Sequence, residues 1–269
     1  MPELPEVESV RRTLLPQIIK KTIHQAQAAN YPRLMKPSPE ALAKGIEGRK
    51  ILAVERLGKL LILKLSGNAF FTIHLGMTGQ LIVAKEKPDA GHIHLEACLG
   101  KQWLFFRDPR RFGKLAYYAS EEGLNTAIAK MGPDALLVQD DEFSARITRR
   151  NTPIKPLLLN QAVVCGVGNI YADEALNMCG IAPTRKASAI KPQKLAELNQ
   201  ALKQVMLKSL ELGGSSVKNF VDAKGRPGTF QEEHRVYQRA GFACPACGAP
   251  VRKMVLGGRT THFCAKCQK

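Results

Sequence analysis

Apolar residues recur along the chain in two rhythms, and the change between them divides it. Near the start, Val7, Val10 and Leu14 fall on one helical face, with Arg11 and Arg12 off it, which predicts a short helix over 5–15. Prolines are tolerated at its start because the first amides have no intrahelical partner. From 50 to 119 the rhythm shortens. The runs ILAVERL, KLLILKL, AFFTIHL, QLIVAK, HIHLEACL, QWLFF and KLAYY are rich in β-formers and separated by Gly, Asn, Asp or Pro. Such runs in succession predict a sandwich or barrel. MGPDALLVQDDE then breaks the pattern and reads as an interdomain linker. Beyond it helical spacing returns. Asp141 or Ser144 is placed to cap a segment running toward Arg149, and ADEALNM continues a helix that begins near Asn169. The longest predicted helix spans 194–212, with Leu195, Leu198, Leu202, Val205 and Leu210 on one side and Gly213–Gly214 as its stop. The polar, Gly-rich stretch 215–241 reads as a long mobile loop, and no internal repeat is visible.

Composition adds a partner. The 269 residues carry 40 Lys and Arg against 23 acids, a formal charge of +17. That balance draws a protein to polyanions, nucleic acid first and a membrane surface second. A membrane-surface protein needs a basic helix with a strong apolar face, and none is seen. No apolar run approaches a spanning helix. MPELPEVES is acidic where a secretory leader is basic and then apolar, so the expected location is the cytoplasm.

The cysteines fall into two groups. Cys98, Cys165 and Cys179 are scattered and read as buried or inert thiols, whereas Cys244, Cys247, Cys264 and Cys267 form C-x2-C, sixteen residues, C-x2-C. Two such knuckles aim four thiolates at one centre, the arrangement of a closed, structural Zn²⁺ site with no open position for a catalytic water. Residues 240–269 hold Arg252, Lys253, Arg259, Lys266, Lys269 and no acid, so the hairpin suits a DNA backbone or groove. Arg259 follows Gly257–Gly258 at a hairpin tip, where a guanidinium can grip phosphate with two parallel bonds.

The first residues carry candidate chemistry. Methionine is readily removed before a small residue, which would expose the secondary amine of Pro2. An α-amino group titrates near pH 8, so part of it is neutral and nucleophilic at neutral pH. Attack on a sugar C1′ would expel a base and leave an iminium, an electron sink for strand cleavage. Glu3 and Glu6 supply carboxylates beside the amine. The plain alternative is a frayed terminus with two helix-starting acids.

MPELPEVE at the start, DPRRFG at 108–113, GVGNIYADEAL at 166–176 and GRTTHFCAKCQ at 258–268 together resemble formamidopyrimidine-DNA glycosylase, end to end and in order. Leu4 stands where the related endonuclease VIII branch has glycine. The resemblance implies an α+β protein: an N-terminal β-sandwich, a helical domain with a helix–two-turn–helix motif, and a four-cysteine zinc finger. It implies a monomer that holds damaged duplex DNA across the cleft between domains, excises oxidised purines and cleaves the strand. Pro2 matches the family's nucleophile and Glu3 its acid/base carboxylate. Glu6 matches a second acid near the amine, and Lys59 a lysine that contacts DNA near the lesion and assists catalysis. Met77, Arg110 and Phe112 match the residues that fill the gap left by the flipped nucleotide. An apolar wedge beside arginines is a known way to unstack a duplex. Asn169, after a Gly-rich turn, matches a phosphate-binding asparagine, and helix N-termini bind anions. His92 and Lys155 match DNA-contacting residues, and Arg259 the finger arginine on the phosphates flanking the lesion.

Three places depart from the family pattern. Asn160 stands where an acid is expected, GHIH replaces the commoner KHDH around His92, and 213–231 matches the lesion-capping loop only loosely. The expected domains are 1–131, the catalytic sandwich with its N-terminal helix; 132–236, the helical domain with the capping loop; and 237–269, the zinc hairpin. The competing readings are an endonuclease VIII-like enzyme for oxidised pyrimidines and a non-catalytic DNA-binding protein. Nothing in Pro2, Glu3 or Lys59 announces lost catalysis.

Overall fold

The first helix, α1, runs Leu4–Ile18, longer at its C-terminal end than the periodicity predicts. Its inner line of Val7, Val10, Leu14 and Ile18 joins the main apolar core. The computed structural model describes residues 2–217 and 220–269; Met1 and positions 218 and 219 of the predicted loop lie outside the described residues. After α1 come β1 (Gln25–Ala28), β2 (Met35–Lys36), α2 (Pro39–Ile46), β3 (Ile51–Leu57), β4 (Leu60–Leu65), β5 (Ala69–His74), β6 (Gln80–Ala84), β7 (Ile93–Cys98), β8 (Trp103–Arg107), β9 (Lys114–Tyr118) and α3 (Glu121–Ile128). All seven predicted strand runs are strands.

They form two sheets, one ordered β1-β7-β8-β6 and the other β2-β9-β5-β4-β3. The sandwich core between them contains Leu61, Leu63, Phe71, Ile73, Leu95, Leu104 and Phe106. Alternation along β4 sends Ile62 to the opposite face, where it packs with Phe70 and with Leu124 of α3. A central strand buried on both faces reads as a nearly continuous apolar run, which LLILKL is.

The chain divides into two compact units, one comprising 1–129 with 212–229, the other 130–211 with 230–269. Segment 212–229 thus packs with the sandwich, whereas the sequence reading grouped its loop with the helical domain. The reason is hydrogen bonding to α1: the Ser215 amide donates to Glu6 Oε1 at 2.8 Å, and the Ala223 amide to Thr13 Oγ1 at 3.1 Å. The segment is also tied to itself, the Gly228 amide donating to Ser216 Oγ at 2.8 Å.

The second unit holds α4 (Asp140–Thr148), α5 (Ile154–Leu159), α6 (Asn169–Met178), α7 (Pro192–Glu211), β10 (Arg252–Leu256) and β11 (Arg259–Phe263). Neither Asp141 nor Ser144 caps α4. Its N-cap is Gln139, with Asp140, Asp141 and Glu142 in the first turn. The Asp140 carboxylate instead accepts from Asn199 and Gln200 of α7, at 2.7 and 2.9 Å. α7 buries its predicted stripe, from Leu195 to Leu210. The chain then turns through Gly213 and Gly214, both at positive φ (75° and 96°). A turn at 161–163 and the Gly-rich bend after it link α5 to α6. β10 and β11 pair antiparallel as the terminal hairpin.

Candidate active site

The sequence Pro2-Glu3-Leu4-Pro5-Glu6 builds its own site as α1 begins. Glu3 is the N-cap and Glu6 the third helical residue, and they form a reciprocal capping box. In it the Glu3 amide donates to Glu6 Oε2 at 2.8 Å. Both carboxylates are buried, and Pro2 ahead of them is buried as well. Glu6 Oε1 takes the Ser215 amide, so each oxygen of this carboxylate has a backbone donor. Gly214 is required beside it, since a Cβ there would lie 3.2 Å from Glu6 Oε1 at a positive φ. Lys59 sits in the two-residue turn between β3 and β4, after Gly58 at φ 55°, and is 8% exposed. Its charge reaches His74 on β5. Burial, then Lys59 and Lys114, hold that imidazole below its usual range.

Two loops of the same unit bring the predicted wedge together. Met77 and Phe112 are exposed apolar residues, 38% and 52% accessible. Asp108 staples their loops: Oδ1 accepts from Thr78 Oγ1 at 2.6 Å and Oδ2 from the Gly113 amide at 2.7 Å. The approach is so close that a Cβ on Gly76 would meet the Phe112 carbonyl carbon at 2.5 Å. The Arg110 guanidinium lies over the Phe112 ring, 4.9 Å from its centroid. His92 is exposed at positive φ, and its carbonyl accepts from the Asp108 amide at the base of the Phe112 loop.

In the second unit Asn169 opens α6 behind Gly168. Its side-chain Nδ2 donates to the Thr260 carbonyl of β11 at 2.9 Å. Arg259, the neighbour of Thr260, is exposed at the hairpin tip. Lys155 departs from expectation. It is fully buried, its Nζ 2.6 Å from Asp173 Oδ1 and donating to Thr261 Oγ1 at 2.8 Å. The ammonium is enclosed by protein. It holds β11 against α5 and α6, and Asp173 completes the hold by accepting from the His262 amide at 2.9 Å.

The four finger cysteines bring their sulfurs within 4.8 Å of one another. Cys244–Cys267 and Cys247–Cys264 Sγ separations are 3.9 and 3.5 Å. A tetrahedron with Zn–S bonds of about 2.3 Å has S···S edges of roughly 3.8 Å, so the set fits Zn²⁺. Without a cation the sulfurs oppose one another's ionisation. The hydrogen bond with Cys247 and then burial push the Cys267 thiol up to about 12. A bound metal removes that conflict.

Residues 1–115 match the formamidopyrimidine-DNA glycosylase N-terminal domain, 131–221 its H2TH domain, and 241–269 a zinc finger found in FPG and IleRS. The formamidopyrimidine-DNA glycosylase of Solibacter usitatus is 42% identical over 269 residues, all of both chains. The chain belongs to the formamidopyrimidine-DNA glycosylase family. A Lactococcus lactis FPG mutant in complex with a Fapy-dG containing DNA superposes at a TM-score of 0.93, with 33% identity and full coverage of both chains. A MutM complex with carbocyclic 8-oxo-G containing DNA gives 0.92, with 33% identity and the same coverage.

Within this family framework the structure supplies residues that spacing did not reveal. Asn160, the departure from the expected acid, forms an Asx turn: its Oδ1 accepts from the Ala162 amide at 3.0 Å. A neutral oxygen is sufficient there. Gln161 clamps the glycine turn ahead of Asn169, with Oε1 taking the Gly166 amide at 2.9 Å and Nε2 donating to the Val167 carbonyl at 3.0 Å. Glu174 accepts the amides of Arg235, Val236 and Tyr237 at 2.7 to 3.0 Å, so α6 fixes the approach to the finger. Only the glutamine's place before a glycine turn hinted at any of these roles.

Proposed function

We propose that the chain is a bifunctional DNA glycosylase/AP lyase of base excision repair that removes oxidised purines, formamidopyrimidines and 8-oxoguanine, from duplex DNA through Pro2. The observation that carries the reading is the buried head of α1, where Pro2 adjoins two carboxylates locked in a capping box. Once Met1 is removed, the Pro2 nitrogen attacks C1′ of the damaged nucleotide. The C1′–base bond breaks, and the base leaves with its bonding pair and takes up the proton that the Pro2 nitrogen loses. Glu3 delivers a proton to the sugar ring oxygen, and the ring opens to a C1′ iminium on Pro2. The iminium nitrogen carries no hydrogen, so it stays cationic and accepts electrons when a C2′ proton is lost. The C3′–O bond then breaks with phosphate as leaving group, and the C5′–O bond follows in the second elimination. Hydrolysis returns the amine. Lys59, enclosed near the amine's helix in the same unit, assists these transfers.

Phe112 and Met77 fill the space left by the flipped nucleotide, and Arg110 addresses the orphaned partner base. His92, Asn169 and Arg259 hold phosphates, and Lys155 serves Arg259 by fixing β11. Zinc, held by Cys244, Cys247, Cys264 and Cys267, supplies a folded hairpin and no chemistry. No helix among the described residues is long and apolar enough to cross a membrane, and the place of action is the cytoplasm, on the chromosome.

Borohydride reduction during reaction with an 8-oxoguanine duplex tests the reading. A covalent adduct should form and map to Pro2. Enzyme that retains Met1 or an N-terminal tag should give none and should neither release base nor cut the strand. A tagged enzyme with normal rates would remove Pro2 as nucleophile. Glu3→Gln should bind damaged duplex while releasing base ~10²–10⁴-fold more slowly, the usual contribution of a positioned acid. Equal losses of binding and rate would indicate misfolding instead.

A further inference from the structure

A buried carboxylate that this chemistry does not use ties the nucleophile's helix to the turn that carries Lys59. Glu8 lies on α1, one turn beyond Leu4, with its side chain 8% exposed. It receives Arg11 Nη2 at 2.8 Å, Arg12 Nε at 2.9 Å and Arg56 Nε at 3.1 Å. Arg11 and Arg12 belong to the same helix, but Arg56 comes from β3, 48 positions along the chain. The other end of Arg56 donates from Nη1 to the Gly58 carbonyl at 3.0 Å. That carbonyl belongs to the peptide bond that leads into Lys59. Arg11 Nη1 also reaches the Val54 carbonyl at 3.2 Å, so β3 is held to α1 at a second point.

We propose that Arg56, oriented by Glu8, is a positioning residue for Lys59, fixing the Gly58–Lys59 turn relative to the helix whose head holds Pro2 and Glu3. The proposal rests on the role given to Lys59 above. A guanidinium is a rigid planar fork, and here its Nε and Nη1 bridge a carboxylate and a carbonyl at once; an ammonium is a point charge and cannot hold both in this geometry. The Arg56 side chain is 8% exposed, which argues against a phosphate contact of its own. Although burial alone would raise it, bonds from Arg11, Arg12 and Arg56 bring the Glu8 carboxyl down to about 2. The clasp is therefore a permanent fixture at working pH. A long lysine delivers its ammonium only as accurately as its turn is held, and a misplacement of about 1 Å can cost roughly 10²-fold in rate.

Arg56→Ala leaves Glu8 with Arg11 and Arg12, so no carboxylate is stranded in the interior. The test uses the full-length, zinc-loaded enzyme. Base release and strand cleavage are followed in single turnovers on an 8-oxoguanine duplex, and affinity is measured on an abasic-analogue duplex. The variants are Arg56→Ala, Arg56→Lys, Lys59→Ala and Arg56→Ala/Lys59→Ala. Arg56→Ala should slow the reaction by up to about 10²-fold with little loss of affinity. Arg56→Lys, which keeps the charge, should not restore the rate. In the Lys59→Ala background, Arg56→Ala should cost nothing further. Additive losses, or full rescue by Arg56→Lys, would overturn the proposal. If Arg56→Ala does not fold, the cycle is run with Arg56→Lys and read in the same way. A Lys59→Ala enzyme at wild-type rate would instead remove Lys59 from the chemistry, and Arg56's role with it.

Discussion

Lys155 carries its charge inside the protein, against Asp173 and beneath the strand that bears Arg259. Removing one partner of a buried pair typically costs about 3–5 kcal/mol, because the other charge is left enclosed. Lys155→Met should therefore destabilise the second unit by that order, and Asp173→Leu should do the same because it also strands the His262 amide, both read by denaturant unfolding. The same variants separate positioning from contact. Arg259→Ala should flatten the log–log dependence of DNA affinity on salt by about 1, one phosphate fewer. Lys155→Met should weaken binding and leave the slope unchanged; a slope reduced by about 1 would return Lys155 to the DNA surface. At this scale the sequence is legible where function is local. The cysteine knuckles are two short, contiguous pairs, so spacing exposes them, and the Glu3–Glu6 box lies within one helical turn. Glu8 and Lys155 were opaque because their partners, Arg56 and Thr261, lie 48 and 106 positions away.

The strands of the sandwich were readable as elements because each run is apolar enough to be buried and is punctuated by turn formers. β1 and β2 were not. QAQA is half polar and gains strand character from pairing with β7, and Met35–Lys36 spans only two residues against β9. The wedge is likewise a property of paired loops: Thr78 and Asp108 join segments 30 positions apart. Extruding a base costs roughly a few kcal/mol, and Phe112, in the wedge role proposed for it, would offset part of it only when a base must leave the stack. Phe112→Ala should therefore slow reaction on an 8-oxoguanine duplex more than on an abasic duplex. Equal mutant-to-wild-type ratios on the two substrates would place Phe112 in folding or general binding.

Over the whole molecule, two buried groups set separate acid limits. In the second unit burial holds His234 down at about 4, beside Phe230 and Tyr237. A depressed imidazole favours folding fully above its ordinary 6.5, and that contribution fades as pH falls toward about 4. Glu8 in the first unit contributes above 4.5, and its share fades only toward about 2. On acidification the second unit should therefore begin to lose stability at higher pH than the sandwich reported by Trp103, the single tryptophan. Coincident transitions would contradict this. Cys247→Ser should likewise lower metal content and DNA affinity together while Trp103 fluorescence stays native, because metal binding and finger folding are coupled. What the sequence could not convey at this scale is that 212–229 returns to the sandwich. The Glu6–Ser215 bond spans 209 positions, and chains emerge from the ribosome N-terminus first. The head of α1 thus emerges long before the donor that fixes Glu6 has been synthesised. Its capping box gains this second backbone donor late in translation. In a ribosome-stalled chain with residue 215 still in the exit tunnel, a protease should cut at the head of α1 faster than in the released full chain; equal rates would contradict this.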